Sequence, residues 1–155
     1  MALPRNLGNL AQGANTSGVL QTTNGGIGST TGSLANCTVD GTNAVGYLTI
    51  PQNSQSSNYT LALTDSGDHI FHPSADTSAR TWTIPANSSV AFPIGTAVTF
   101  INQNSAGVIT IAITSDTMRL AGAGTLGSRT LAANGIATAI KITSTEWIIS
   151  GTGLT

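Results

Sequence analysis

The clearest pattern along the chain is alternation of apolar and small polar residues over short runs. Val108-Ile109-Thr110-Ile111-Ala112-Ile113-Thr114 and Thr81-Trp82-Thr83-Ile84 are the cleanest cases. Successive side chains of a strand point to opposite faces, so period two with β-branched residues marks a strand that buries one face. The same reading predicts strands over Leu34–Val39, Ala44–Ile50, Tyr59–Leu63, His69–His72, Thr81–Ile84, Ala97–Asn102, Val108–Thr114, Met118–Leu120, Thr130–Ala132, Ile136–Ile142 and Trp147–Ser150. Turn-forming residues separate them, at Asp40-Gly41, Ser66-Gly67, Pro93-Ile94-Gly95, Ser105-Ala106-Gly107 and Asn134-Gly135. Asn134-Gly135 is the strongest hairpin signal, because both positions of a two-residue turn must tolerate positive φ. No run carries a helical pattern, and no fixed-period repeat supports a solenoid. The expectation is an all-β protein: a small antiparallel β-sandwich or barrel preceded by an extended N-terminal arm.

That arm is residues 1–33, and the β domain is residues 34–155. The first segment is rich in Gly, Asn, Ser and Thr, with Leu3, Leu7 and Leu10 as its apolar anchors beside Pro4 and Arg5. The leucines sit at helical spacing, but Pro4, Gly8 and Gly13 oppose an independent helix. Alone, such a stretch buries too little apolar surface to offset its ordering entropy. Leu3, Pro4, Arg5, Leu7 and Leu10 are therefore the expected contacts of an arm that orders on a partner.

Charge sharpens this picture. The chain has 5 Lys and Arg against 6 Asp and Glu in 155 residues, or 7% charged, where a soluble domain carries roughly 25%. Between Arg5 and Asp40 the only ionisable side chain is Cys37. Such a surface has little electrostatic protection against association, and it suits packing against copies of itself or a larger particle. The five cations, at positions 5, 80, 119, 129 and 141, form no cluster, which argues against a nucleic-acid partner. No apolar stretch is long enough to span a bilayer, and the N-terminus lacks the apolar core of a signal peptide. With aromatics at only 5%, the core is expected to be built from Ile, Val, Leu and Ala. A single cysteine, Cys37, excludes an intrachain disulfide and reads as a small buried hydrophobe.

Candidate chemistry is sparse. Gly122-Ala123-Gly124-Thr125-Leu126-Gly127 matches a nucleotide-binding fingerprint, but no helix pattern follows, so these glycines are expected to serve tight turns. Asp65, Asp68, His69, His72 and Asp76 form the one cluster suited to metal or acid–base work. On a strand His69 and His72 point to opposite faces, so a structural strand end is favoured; metal would need one imidazole from each of three chains at a trimer axis, or a strand ended early by Pro73. On that reading, replacing both histidines by alanine should change neither stability nor bound metal. No nucleophile elbow occurs, and no carboxylate pair lies in an apolar setting. Trp82 and Trp147 sit inside alternating runs and read as core rather than sugar platforms. No catalytic residue, cofactor or metal is assigned, and the chain is not read as an enzyme.

From Ile50 onward the motifs run in a specific order. Ile50-Pro51-Gln52-Asn53-Ser54-Gln55-Ser56 leads to Tyr59-Thr60-Leu61, then to the Asp65–Asp76 segment and to Arg80-Thr-Trp-Thr-Ile-Pro-Ala-Asn-Ser. Val90-Ala-Phe-Pro-Ile-Gly follows, then Leu120-Ala-Gly-Ala-Gly-Thr-Leu-Gly and Trp147-Ile-Ile-Ser-Gly-Thr-Gly-Leu-Thr. This string, over about residues 44–155, resembles a module of tailed-bacteriophage and prophage virion proteins found at the C-terminal end of tail-fibre-like chains. The resemblance implies a β-rich virion appendage, a homotrimer whose arm docks on other virion proteins of the tail or capsid. It implies host contact through a surface glycan or protein, and supplies no catalytic residues. The alternative it leaves open is a capsid decoration or head-fibre protein that reinforces or ornaments the shell. A glycan depolymerase is disfavoured by the missing carboxylate pair.

Overall fold

The computed structural model describes residues 38–39, 45–46, 49–103 and 107–155. The chain divides at Thr49 into two units. In the first, β1 (Thr38–Val39) and β2 (Val45–Gly46) pair antiparallel. The expected boundary after residue 33, the arm residues Leu3, Pro4, Arg5, Leu7 and Leu10, and Cys37 lie outside the described residues.

The second unit, Thr49–Thr155, holds β3 (Gln52–Ser54), β4 (Tyr59–Thr60), a single 3-10 turn at Leu63–Asp65, β5 (His69–His72), β6 (Arg80–Ile84), β7 (Ala97–Asn102), β8 (Ile109–Ile113), β9 (Thr117–Leu120), β10 (Arg129–Lys141) and β11 (Glu146–Leu154). These strands form one sheet that curls into a half-barrel, in the order β3-β5-β7-β10-β8-β6-β4, with β11 on β10 and β9 on β11. All-β architecture is what the alternation predicts. Within this sheet the expected antiparallel pairing needs correction, because it holds only where β10 meets β7, β8 and β11. The flanks are parallel, β3-β5-β7 on one side and β4-β6-β8 on the other. The chain crosses from one flank to the other after each strand, so neighbours in sequence lie on opposite flanks and strands two apart stack in the same direction. Turn chemistry reports that a strand ends but not which strand it next meets.

β10 joins the two flanks. Its first part, Arg129 to Leu131, pairs with β8, and its later part, Ile136 to Ile140, pairs with β7. Between them the register against β11 slips, and Asn134 takes φ 58°. Of the two positive φ angles expected at Asn134-Gly135 only that of Asn134 is present, and the hairpin is not. Both arms of β10 already have partners, so the chain bulges and continues instead of folding back. The hairpin lies further on, where the Ile142 and Thr143 N–H groups both donate to Glu146 O and β11 returns along β10. β11 approaches β10 so closely at Gly151 that a Cβ there would lie 2.2 Å from Ile136 O, which is why glycine occupies this strand position.

The core is aliphatic with two tryptophans, Ile70, Ile84, Val98, Ile109, Ile111 and Ile149 packing around Trp82, Phe100 and Trp147. Both tryptophans are fully buried, as their alternating contexts predict. The Gly122–Gly127 segment is a turn: Gly124 N–H donates to Leu120 O and Gly127 N–H to Met118 O. Among the described residues no helix is long and apolar enough to cross a membrane.

Candidate functional site

Two surfaces of the curled sheet carry side chains that could act. Strand alternation assigns them. In β5 Ile70 and His72 face the core while His69 and Phe71 face out, and in β7 Val98, Phe100 and Asn102 face in. His69 and His72 therefore do point to opposite faces.

On the inner face, His72 is fully buried at the end of β5. Its Nδ1 is 3.0 Å from Asn102 Oδ1, and its Nε2 is 3.0 Å from Asp76 Oδ2. Asn102 Nδ2 donates to the carbonyls of Gly107, Leu131 and Ala132, which fixes Oδ1 as the atom facing the imidazole. Both ring nitrogens thus face oxygen atoms of neighbouring side chains. Asp76 also takes two hydrogen bonds from Arg80, from Nε at 2.8 Å and from the terminal nitrogen at 3.1 Å. The cluster ties the segment after β5 to the start of β6 and to β7. No position in it is open to a substrate, since every polar atom named is already bonded within the chain.

The Asp76 carboxyl is held well below the usual carboxylate range, first by the Arg80 hydrogen bonds and next by His72. A group whose folded-state pKa is lowered stabilises the fold above its unfolded value, about 3.9, and loses that contribution as pH falls. The melting temperature should therefore decline progressively below about pH 4. Asp76→Asn should be less stable at neutral pH and show a shallower acid slope. Thermal melts followed by circular dichroism across the acid range check this, and parallel slopes would remove Asp76 from the account.

A second carboxylate, Asp65, is buried near the open edge of the sheet and accepts from Tyr59 Oη at 2.8 Å, Asn53 Nδ2 at 2.8 Å and the Ala62 N–H at 2.7 Å. Burial, with the nearby Asp65 charge second, pushes the Asp68 carboxyl above its ordinary value. The five residues of the sequence cluster are therefore divided: Asp65 serves the β3–β4 edge, His72 and Asp76 serve the inner network, and His69 faces out. No group of three or more His, Cys, Asp or Glu among the described residues is arranged to hold a metal ion.

The outer face is different in kind. Cross-strand register builds one row from Gln52, His69, Thr99, Thr138 and Ser150, and another from Ser54, Phe71, Ile101, Ile136 and Thr152. A third row holds Ala97, Ile140 and Ile148. Thr99 and Thr138 join by their hydroxyls at 3.0 Å, and His69 Nε2 lies 3.0 Å from Gln52 Nε2. Ile136 is 47% and Ile140 41% exposed. A shallow groove of about 230 Å³ opens beside the β10 bulge, lined by Phe71, Ile101, Gln103, Asn134 and Ile136 among others. The first two rows contain no Asp, Glu, Lys or Arg; the third continues from Ile148 to its register partner Arg119 on β9, which pairs with Glu146 at 2.7 Å. Sequence reading missed this face as a unit. The signal was present in Phe100-Ile101 and Ile136–Ile140, where apolar residues fall at the outward parity as well as the inward one.

No family model, no curated protein and no solved structure matches this chain.

Proposed function

We propose that this chain is a structural protein of a tailed-bacteriophage virion, a short tail-fibre-like appendage that docks by its N-terminal arm and projects its β domain as a homotrimer toward the host surface. The observation that carries this reading is the charge-poor outer face of the curled sheet. Two rows, Gln52-His69-Thr99-Thr138-Ser150 and Ser54-Phe71-Ile101-Ile136-Thr152, hold no Asp, Glu, Lys or Arg and suit packing between identical chains, where like charges would face each other and repel. The charge-poor segment 1–33, with Leu3, Pro4, Arg5, Leu7 and Leu10, supplies the docking contacts. The order of phage-like motifs through residues 50–155 supports the same assignment. A host glycan or surface protein is the partner at the far end.

Deleting residues 1–17 should leave a soluble, folded oligomer that no longer enters particles, as scored by complementation and gel analysis of purified virions. Normal incorporation of that variant, or its failure to fold, would overturn the division into arm and head. The same gels give copy number relative to the major capsid protein. A fibre occurs in a few sets per tail, whereas abundance proportional to capsid faces would mark a decoration protein instead.

A further inference from the structure

Lys141 is the least expected residue of the interior. It ends β10 with 1% of its surface exposed. Its neighbours are not carboxylates. Nζ lies 2.6 Å from Asn87 Oδ1 and 5.7 Å from the centre of the Trp147 ring. Phe92 packs edge-on against Trp147 at 5.6 Å between centroids, with Phe92 3% and Trp147 0% exposed. The Trp147 Nε1–H is buried without an acceptor, a further polar group left over at this place. Asn87 is positioned by Asp116, 8% exposed, whose Oδ2 accepts the Asn87 backbone N–H at 3.0 Å. Three segments distant in sequence converge here: the turn after β6, the residue before β9 and the end of β10.

The geometry points to an intramolecular amide bond between Lys141 and Asn87, formed by the protein itself. An amine held against a carboxamide, in a site walled by aromatic rings, brings together the two groups that this condensation joins. Lys141 Nζ attacks Asn87 Cγ, the carbon bonded to the oxygen it already touches. The new Nζ–Cγ bond forms as the Cγ–Nδ2 bond breaks, and Nδ2 leaves as ammonia. A proton released from Nζ passes to Nδ2 and completes the ammonia, while Asp116 holds the Asn87 backbone in place. Nothing is oxidised or reduced, and no co-reactant is consumed. Exchanging the oxygen and nitrogen of the Asn87 amide does not alter the requirement, since both are one bond from Cγ. The product ties the loop after β6 to the strand that joins both flanks, closing a span of 54 residues. This inference is independent of the virion reading.

Intact mass of the full-length chain, purified and aged at neutral to mildly alkaline pH, is the direct test. The expected mass is lower than the sequence mass by about 17 Da, one ammonia. Proteolysis should release a branched peptide joining residues 87 and 141. Asn87→Ala and Lys141→Arg should each restore the full mass. Asn134→Ala controls for cyclisation at Asn134-Gly135, which sheds the same mass, and should leave the deficit intact. An unshifted mass in the unaltered chain overturns the proposal, as does a deficit that survives Asn87→Ala or disappears in Asn134→Ala.

Discussion

Trp82→Ala is expected to lower the unfolding free energy by about 3–5 kcal/mol, the range for removing a large aromatic from a closed core. Trp82 is fully buried in β6, and its register partners are Tyr59 on β4 and Ile111 on β8. Its ring stacks on Phe100 at 6.1 Å and 28°, and meets the His72 ring edge-on at 6.0 Å and 85°. It therefore links the two parallel flanks through the interior. The indole N–H also donates to Ser57 O at 3.3 Å, holding the turn before β4. Urea unfolding should show a lower midpoint with an unchanged slope. Trp82→Phe should cost clearly less, because a ring remains between Phe100 and His72. A loss within about 0.5 kcal/mol for the alanine variant, the scale of a surface substitution, would contradict the packing described.

His72→Ala should follow at roughly 2–4 kcal/mol, through the vacated space against Trp82 and the loss of the donor to buried Asn102. This reverses the expectation drawn from sequence, that both histidines are dispensable for stability. His69→Ala should remain within about 0.5 kcal/mol, because its contact with Gln52 is on the exposed face. Denaturation of the two single variants separates them. Equal effects would mean that the in–out assignment along β5 is wrong.

The contrast between these histidines shows what was legible in the chain. Opposite faces follow from their spacing, and so do the positions of β5 to β9 within a residue or two. Which face is inner does not follow, because Phe71 is apolar and faces out while His72 is polar and faces in. β3 was missed altogether: Gln52-Asn53-Ser54 has no apolar residue, and it is a strand because Gln52 to Ser54 lie beside His69 to Phe71. Thr130–Ala132 and Ile136–Ile142 read as separate strands because Asn134-Gly135 has strong turn chemistry; both pairing sites on β10 were needed to override it. The Lys141–Asn87–Asp116 constellation left no local trace, since its members belong to three elements joined only by tertiary structure.

The joining role of β10 also has a consequence for the order of events during synthesis. A ribosome releases β3 to β8 first, as two stacks whose inner edges, on β7 and β8, have nothing to pair with. The strand that satisfies both edges is encoded after them, and the nascent chain cannot close its core until residues 129–154 have emerged. Exposed parallel strands waiting for a distant partner fold slowly and invite association with their neighbours. Translation that stalls before codon 129 therefore leaves a product that is not a smaller version of this domain but an open, adhesive one.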